Sequence, residues 1–439
     1  MSATFRSFAV VNYRFWFAGA LVSNVGTWMQ RIAQDWVVLT QLTDDDATAV
    51  GVTMALQFGP QLVLLPITGL VADRMDRRKL MMITQITMGI LAAGMAAVTL
   101  TGVVTLWMLF AFALALGIAA AFDAPARQAF VSELVPAPLL SNAVALNSAS
   151  FNVARLLGPA VAGLLIAGAG AGWVFVINTL TFGAVLLSLA LLRSDAFTSF
   201  TRPPRQKGQL AGGVRYVFTR PDILLVLAMI ALLGTFAFNF PIFISAMARL
   251  EFRSDAAEFG VLSSVIAIGS VTGALLSARR ERPRLRTMTL AAFGFGASIA
   301  TAALMPNALT FGVVLVLVGF SALTVMTTAN AYVQTTVAPE VRGRVMALYM
   351  AIFMGGTPLG APLMGWIADT FGARWALGAG AASAFVATGV AALYYVRTRQ
   401  LRLGWDSDRR WPVTVRRTWV LDREQATSEI AVVEAESSR

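Results

Sequence analysis

Long apolar stretches, separated by short polar or basic segments, dominate this chain. Crossing about 30 Å of hydrocarbon takes about 20 helical residues. Twelve stretches meet that length: about 15–40, 48–72, 80–101, 105–126, 142–168, 172–192, 222–247, 258–278, 287–305, 308–332, 344–368 and 373–396. An even number puts both chain ends on one side. The first stretch is too long for a signal-peptide core, and no small-residue cleavage site follows it. Trp16, Trp28, Trp36, Trp107, Trp173, Trp366 and Trp375 fall near the expected span ends, where interfacial Trp belongs.

Composition agrees. Apolar residues make up 57% of the 439 and charged residues 13%. That is too few charges to coat a water-soluble surface of this size. His and Cys are absent. This excludes zinc, haem and iron–sulfur sites built on them, Cys nucleophiles, a Ser-His-Asp triad and disulfides. No Walker-type loop is present, so ATP drive is not expected. The expectation is a non-enzyme with no cofactor and no metal.

The net charge of +11 invites a nucleic-acid reading until the basic residues are placed. Of 34 Lys and Arg, 29 fall on one set of alternating loops and the two termini, and three on the other set. That asymmetry puts both termini in the cytoplasm and leaves no case for nucleic acid. Arg31 and Arg155 alone lie within spans. Asp44-Asp45-Asp46 reads as a solvated acidic tip on the first outer loop.

The longest cytoplasmic connection, about 193–221, contains Arg202-Pro203-Pro204-Arg205 and divides the chain near its middle. The division gives a six-span half over 1–192, a linker over 193–221, a second six-span half over 222–396 and a tail over 397–439. A weak repeat at an offset of 202 supports it: Ala145-Leu146, Gly158 and Gly163 match Ala347-Leu348, Gly360 and Gly365. Within the linker, Leu210, Val214, Val217 and Phe218 recur at helical spacing beside Arg215 and Arg220. They suggest either a short amphipathic helix on the leaflet or an ordinary connection. The tail carries Trp405, Trp411 and Trp419 among Arg residues, suited to anionic headgroups, before an acidic, Ser-rich end that reads as disordered.

The loop after the second span reads Gly69-Leu70-Val71-Ala72-Asp73-Arg74-Met75-Asp76-Arg77-Arg78-Lys79. It resembles the signature loop of the major facilitator superfamily, with Gly69, Asp73, Arg74, Arg77 and Arg78 in matching places. Asp76 stands where that family usually has Gly. Gly158-Pro159 and Gly163 in the fifth span resemble the antiporter motif of drug:proton antiporters. The segments Asp123-Ala124-Pro125-Ala126-Arg127-Gln128 and Arg342-Gly343-Arg344 extend the likeness to the branch with macrolide effluxers and enterobactin exporters. The resemblance implies an all-α membrane protein with twelve transmembrane helices in two pseudo-symmetric six-helix halves. It implies a secondary transporter of the cell membrane that works as a monomer, with Gly69, Asp73, Arg74, Arg77 and Arg78 as a cytoplasmic latch.

Intramembrane charge is expensive, at least about 2.5–3.5 kcal/mol at the bilayer centre. Arg31 and Asp35 stand at i and i+4 on one helical face and are expected to pair. Asp35, with Arg31, is the candidate for proton coupling. Arg155 either pairs across the bundle, bonds carbonyls or meets an anionic substrate. Asn24, Gln57, Gln61, Asn147, Asn178, Asn239, Asn330, Tyr332 and Tyr349 are candidates for the cavity wall, with Phe58, Phe151, Phe236, Phe240 and Met350 as apolar neighbours. The expected partners are a small-molecule substrate, protons and the bilayer. The expected activity is proton-driven efflux of a small amphipathic compound: a drug, a macrolide or a siderophore-like metabolite. Alternatives are an importer of the same fold and a non-transporting sensor. An intramembrane aspartyl protease fails because Asp35 and Asp123 lie toward opposite faces.

Overall fold

The computed structural model describes residues 3–193, 209–278, 283–399, 401–405 and 413–417. The Arg202-Pro203-Pro204-Arg205 stretch, Arg279, Arg280 and Arg282, and the tail residues Trp411 and Trp419 lie outside the described residues.

In the first half the helices are α1 (Val11–Val37), α2 (Ala47–Val63), α3 (Leu65–Arg74), α4 (Arg77–Leu100), α5 (Leu106–Leu134), α6 (Ala137–Ala169) and α7 (Ala171–Ala190). A short helix α8 (Gln209–Thr219) precedes the second half. That half holds α9 (Pro221–Leu232), α10 (Phe240–Ala246), α11 (Ala256–Ala278), α12 (Leu285–Ala303), α13 (Ala308–Thr336), α14 (Pro339–Phe371) and α15 (Ala373–Arg399). In the tail, β1 (Leu401–Trp405) pairs antiparallel with β2 (Val413–Arg417), an element the apolar pattern does not predict. Each apolar stretch read from the sequence falls on a helix or on consecutive helices. Nine segments among the described residues are long and apolar enough to cross a membrane by length and composition. The first stretch, the second and the one around α12 are not among them. α1 carries Arg14, Arg31 and Asp35, and the second stretch breaks at Leu64. The break precedes Pro66, which has no N–H to continue the hydrogen-bond ladder.

The seventh stretch is also interrupted. α9 widens into a π-helical turn over Leu233–Ala237, and the chain leaves helical geometry at Phe238 and Asn239 before α10 begins. Pro241 at the start of α10 suits a first turn, where a missing N–H costs nothing. Asn239 turns its Nδ2 back to the Thr235 carbonyl at 2.6 Å and satisfies part of the loosened backbone.

Within the first half α1 packs on α6 and α7, and α4 on α5 and α7. In the second, α13 packs on α11 and α12, and α12 on α15. Two seams join the halves, α2 against α14 and α6 against α11. Glycine makes both. A Cβ on Gly163 would lie 2.6 Å from the Ala256 carbonyl oxygen, and one on Gly260 would lie 2.6 Å from that of Pro159. Across the other seam Gly365 meets the Ala47 carbonyl and Gly51 that of Ala361, both inside van der Waals contact for a Cβ. Gly163 and Gly365, the pair related by the repeat offset, therefore do the same work: each admits the first turn of a helix from the opposite half.

These seams lie toward one end of the bundle, opposite the basic loops. The hydrogen bonds found between described residues of the two halves lie there too. Asp369 in α14 accepts from the amides of Ala47 (2.8 Å) and Thr48 (2.7 Å) and from the Thr48 hydroxyl. Arg249 pairs with Asp45 at 2.9 Å and lies over Trp36, which stacks on Phe259. The Asp44-Asp45-Asp46 stretch is thus not a free solvated tip. Asp45 holds the other half, and Asp46 accepts from the Ala49 amide at 2.9 Å and caps α2. Burial raises the Asp46 proton affinity above the ordinary carboxylate range, and the facing Asp369 carboxylate adds to the rise.

At the basic end, Asp76, Arg77 and Arg78 of the signature-like loop make their contacts within their own half. α3 stops at Arg74 and α4 begins at Arg77. Asp76 (φ −59°, ψ 122°) is the N-cap of α4 and accepts from the Lys79 amide at 2.8 Å. No left-handed residue is required, which is why Asp can stand where the superfamily has Gly. Arg77 is buried and pairs with Glu133 at 2.8 Å, Arg78 donates to the Ala190 carbonyl, and Arg74 is exposed. Gly69 and Asp73 lie within α3.

The Trp expectation splits. Trp107, Trp173, Trp366 and Trp375 are exposed, as an interfacial position requires. Trp16, Trp28 and Trp36 are not: Trp16 is buried against Phe130, and the other two face the inter-half region. Helical length alone cannot tell an interfacial Trp from one turned inward.

Candidate functional site

Between the halves, close to the two seams, lies a cavity of about 170 Å³. α1 presents Trp28, Arg31, Ile32 and Asp35 to it, spaced three, four and seven residues along one helical face. α2 adds Met54, Gln57 and Phe58 with the same spacing. α6 adds Arg155 and Pro159, one turn apart. The second half supplies Phe238, Phe240, Pro241 and Ile244 around the break between α9 and α10, with Ser263 and Ile266 of α11 and Thr357 of α14.

Arg31 and Asp35 share this cavity but do not form the expected ion pair. The guanidinium carbon of Arg31 lies 4.9 Å from the Trp28 ring centroid and 4.8 Å from that of Phe58. Arg155 lies 5.7 Å from the same Trp28 ring. A cation over an aromatic face is stabilised by the ring quadrupole, by about 2 kcal/mol or more when desolvated. The guanidinium thus rests on ring faces of α1 and α2, with Asp35 near enough for Coulomb attraction but outside ion-pair contact. Asp35 is 4% exposed, and its carboxylate accepts no hydrogen bond among the described residues. Arg155 has neither an ion pair nor a carbonyl hydrogen bond among the described residues, so of its three alternatives those two are not seen in this arrangement.

The other expected wall residues separate into groups. Gln57 and Arg155 line the cavity. Asn178 lines a smaller pocket of about 50 Å³ inside the first half, with Gln30, Gln34, Gln57 and Arg31. There Asn178 donates to Gln30, and Gln57 to Gln34 at 2.8 Å. Asn24 accepts from Arg127, which pairs with Asp123 at 2.9 Å deeper in the first half. Asn239 is fully buried and bonds its own helix. Asn330 accepts from Gln334, and neither Asn330, Asn147 nor Gln61 lines either space. Of the apolar neighbours expected, Phe58 and Phe240 line the cavity; Phe151, Phe236 and Met350 do not. An isolated amide marks polarity but not azimuth, so sequence spacing could not sort these.

The antiporter-like motif sits where it acts on both wall and seam. A Cβ on Gly158 would lie 2.5 Å from that of Trp28, so this glycine seats the tryptophan under both arginines. Pro159 lines the cavity, and Gly163 is the seam glycine facing α11. Sequence reasoning missed the cavity roles of Trp28, Phe238 and Pro241. Proline two residues after Asn239 in an apolar stretch is the signal that marks the broken helix.

A family model described as transmembrane secretion effector matches residues 2–425. A staphyloferrin A transporter of Staphylococcus aureus is 25% identical over 82% of this chain and 90% of its own length. The multidrug efflux pump Tap of Mycolicibacterium fortuitum is 27% identical over 88% and 95%. The enterobactin exporter EntS of Shigella boydii is 28% identical over 75% and 79%. Among solved structures, a bacterial homologue of the human lysosomal transporter Spinster superposes with a TM-score of 0.68 at 14% identity, over 87% of this chain and 96% of that one. A D-xylose–proton symporter superposes with a TM-score of 0.66 at 12% identity, over 87% and 96%.

Proposed function

The chain belongs to the transmembrane secretion effector family of the major facilitator superfamily, and on that premise we propose that it exports a small amphipathic compound by proton-coupled alternating access. The observation that carries this reading is the cavity between the halves. It is apolar over most of its wall, yet it holds Arg31, Arg155 and Asp35. An apolar pocket with few polar groups suits an amphipathic ligand, and ionisable groups within spans mark substrate and proton pathways. The names of the multidrug efflux pump and the enterobactin exporter among the relatives favour export over import.

The charge of the loops favours a cytoplasmic basic end. With the seams and the Asp369 and Arg249 contacts at the other end, the described arrangement is the one closed to the outside. Asp73 and Arg74, with Arg77 and Arg78, are then the latch of the opposite state, engaging the second half when the basic end closes. In the cycle Asp35 takes a proton from outside, the carrier returns inward, and the proton leaves before the loaded carrier opens outward.

Reconstituted protein tests this. Efflux of a hydrophobic compound from liposomes should accelerate under an imposed inward proton gradient. Transport indifferent to that gradient ends the coupling proposal. An Asp35→Asn variant that keeps the gradient dependence removes Asp35 from it.

A further inference from the structure

We propose that the central cavity takes a compound with a carboxylate or similarly compact organic anion as its head group, seated between Arg31 and Arg155 over Trp28. The inference rests on the export reading only in taking this cavity as the binding site.

Three charged side chains line the space, two guanidiniums and one carboxylate. Neither guanidinium has an ion pair or a hydrogen-bond acceptor among the described residues. Each offers five N–H donors. Ring faces of Trp28 and Phe58 stabilise the charge, but they are no match for an oxygen acceptor. Half-buried guanidiniums without a protein acceptor leave their N–H donors open to an oxygen ligand. The planar fork of arginine fits a carboxylate with two parallel bonds. With Asp35 ionised, one monoanion brings the three side chains and ligand to neutrality. A cationic ligand would instead meet a net positive wall whether or not Asp35 holds a proton. Ile32, Met54, Phe240, Ile244 and Ile266 fill much of the remaining wall, so the body behind the head is apolar. A dry cavity of about 150 Å³ admits benzene, and this one, at about 170 Å³, has room for a ring in the described arrangement.

The test uses the full chain in phosphatidylcholine nanodiscs and three probes with one body: 2-naphthoate, 2-naphthamide and 2-naphthylmethylamine. Naphthoate should bind at least about tenfold tighter than the other two. Arg31→Gln and Arg155→Gln should each weaken naphthoate by about tenfold and leave naphthamide unchanged. Asp35→Asn should tighten naphthoate, because a like charge is removed. Arg31→Lys and Arg155→Lys, which keep the charge, should fall between and report that the protein is folded. Equal binding of the three, preference for the amine, no naphthoate binding by about 10 mM, or indifference to both Gln variants overturns the proposal. A soluble carboxylate and an anionic lipid share this chemistry. Competition by added phosphatidylglycerol would assign the head to lipid, and its absence to a soluble anion; either supports an anion site. Liposome efflux separates this inference from the export reading. If the amine is exported and naphthoate neither binds nor moves, export stands and the anion site falls. If naphthoate binds as expected and no probe crosses, the site stands and export falls.

Discussion

Asp369 caps Thr48 across the two halves: the α14 carboxylate accepts the Thr48 amide at 2.7 Å, and the Ala47 amide beside it at 2.8 Å. Two unpaired N–H groups of α2 are thereby satisfied by the opposite half of the protein. A helix end that depends on a residue 321 positions away ties local helix chemistry to the global closure of one end of the bundle.

Removing that carboxylate should loosen the closed end. Asp369→Ala is expected to cost about 0.5–2 kcal/mol of the closed arrangement, the range for a lost N-cap. Because the natural chain has no Cys, Ala256→Cys supplies a clean reporter at a position 5% exposed in the seam. A membrane-impermeant maleimide should label it several-fold faster in the Asp369→Ala background. An unchanged rate would mean the cap does not hold the end shut.

Closure of the same end should depend on pH through Asp46. Its proton affinity is raised in the closed arrangement, by burial first and then by Asp369. Closing therefore favours the protonated form. That contribution is full below the ordinary carboxylate value of about 3.9, and it is lost as pH rises through the higher value of the closed state. Spin labels flanking the far-end seam should read shorter distances as the medium is acidified from neutral. Asp46→Asn should flatten the response, and a profile identical to the parent's would exclude Asp46 as its source.

The seam glycines should tolerate no side chain. Val at Gly163 or at Gly365 meets backbone carbonyl oxygen and α-carbon atoms, which cannot swing aside. Both variants are expected to insert in the membrane, hold the far end open and lose most transport. Gly183→Ala is the control, since nothing lies within 4 Å of its added carbon. Comparable transport in Gly163→Val and Gly183→Ala would show that the close approach is dispensable.

Trp28 should matter through the arginines. Trp28→Leu removes one ring from Arg31 and the ring near Arg155. The expected loss of about 0.5–2 kcal/mol should appear as a weaker affinity for the transported compound. Trp28→Phe should recover part of it. Equal affinity in parent and Trp28→Leu would place the ring outside the binding energetics.

Much of this protein was legible along the chain. Apolar run length requires helices in a bilayer, because hydrocarbon leaves backbone groups no other partner. Arg31, Asp35 and Arg155 stood out because a charge inside such a run is too costly to be incidental. Gly158, Pro159 and Gly163 stood out by their likeness to the antiporter motif, and at the two glycines the missing Cβ is what admits Trp28 and α11.

What each of those groups touches was decided only in three dimensions. Spacing of i and i+4 put Arg31 and Asp35 on one face, but the guanidinium rests on Phe58 of α2 and Trp28 of α1, outside ion-pair contact with Asp35. Asp45 and Asp46 read as a solvated tip until α2 met α14 and Arg249 came across from the other half. Asn24 and Asn239 were as polar as Gln57, yet only Gln57 faces the central cavity. The physical reason is the same in each case. Sequence spacing sets the side of a helix on which a group emerges, whereas its partner belongs to another helix, and only the packed bundle determines which helix stands there.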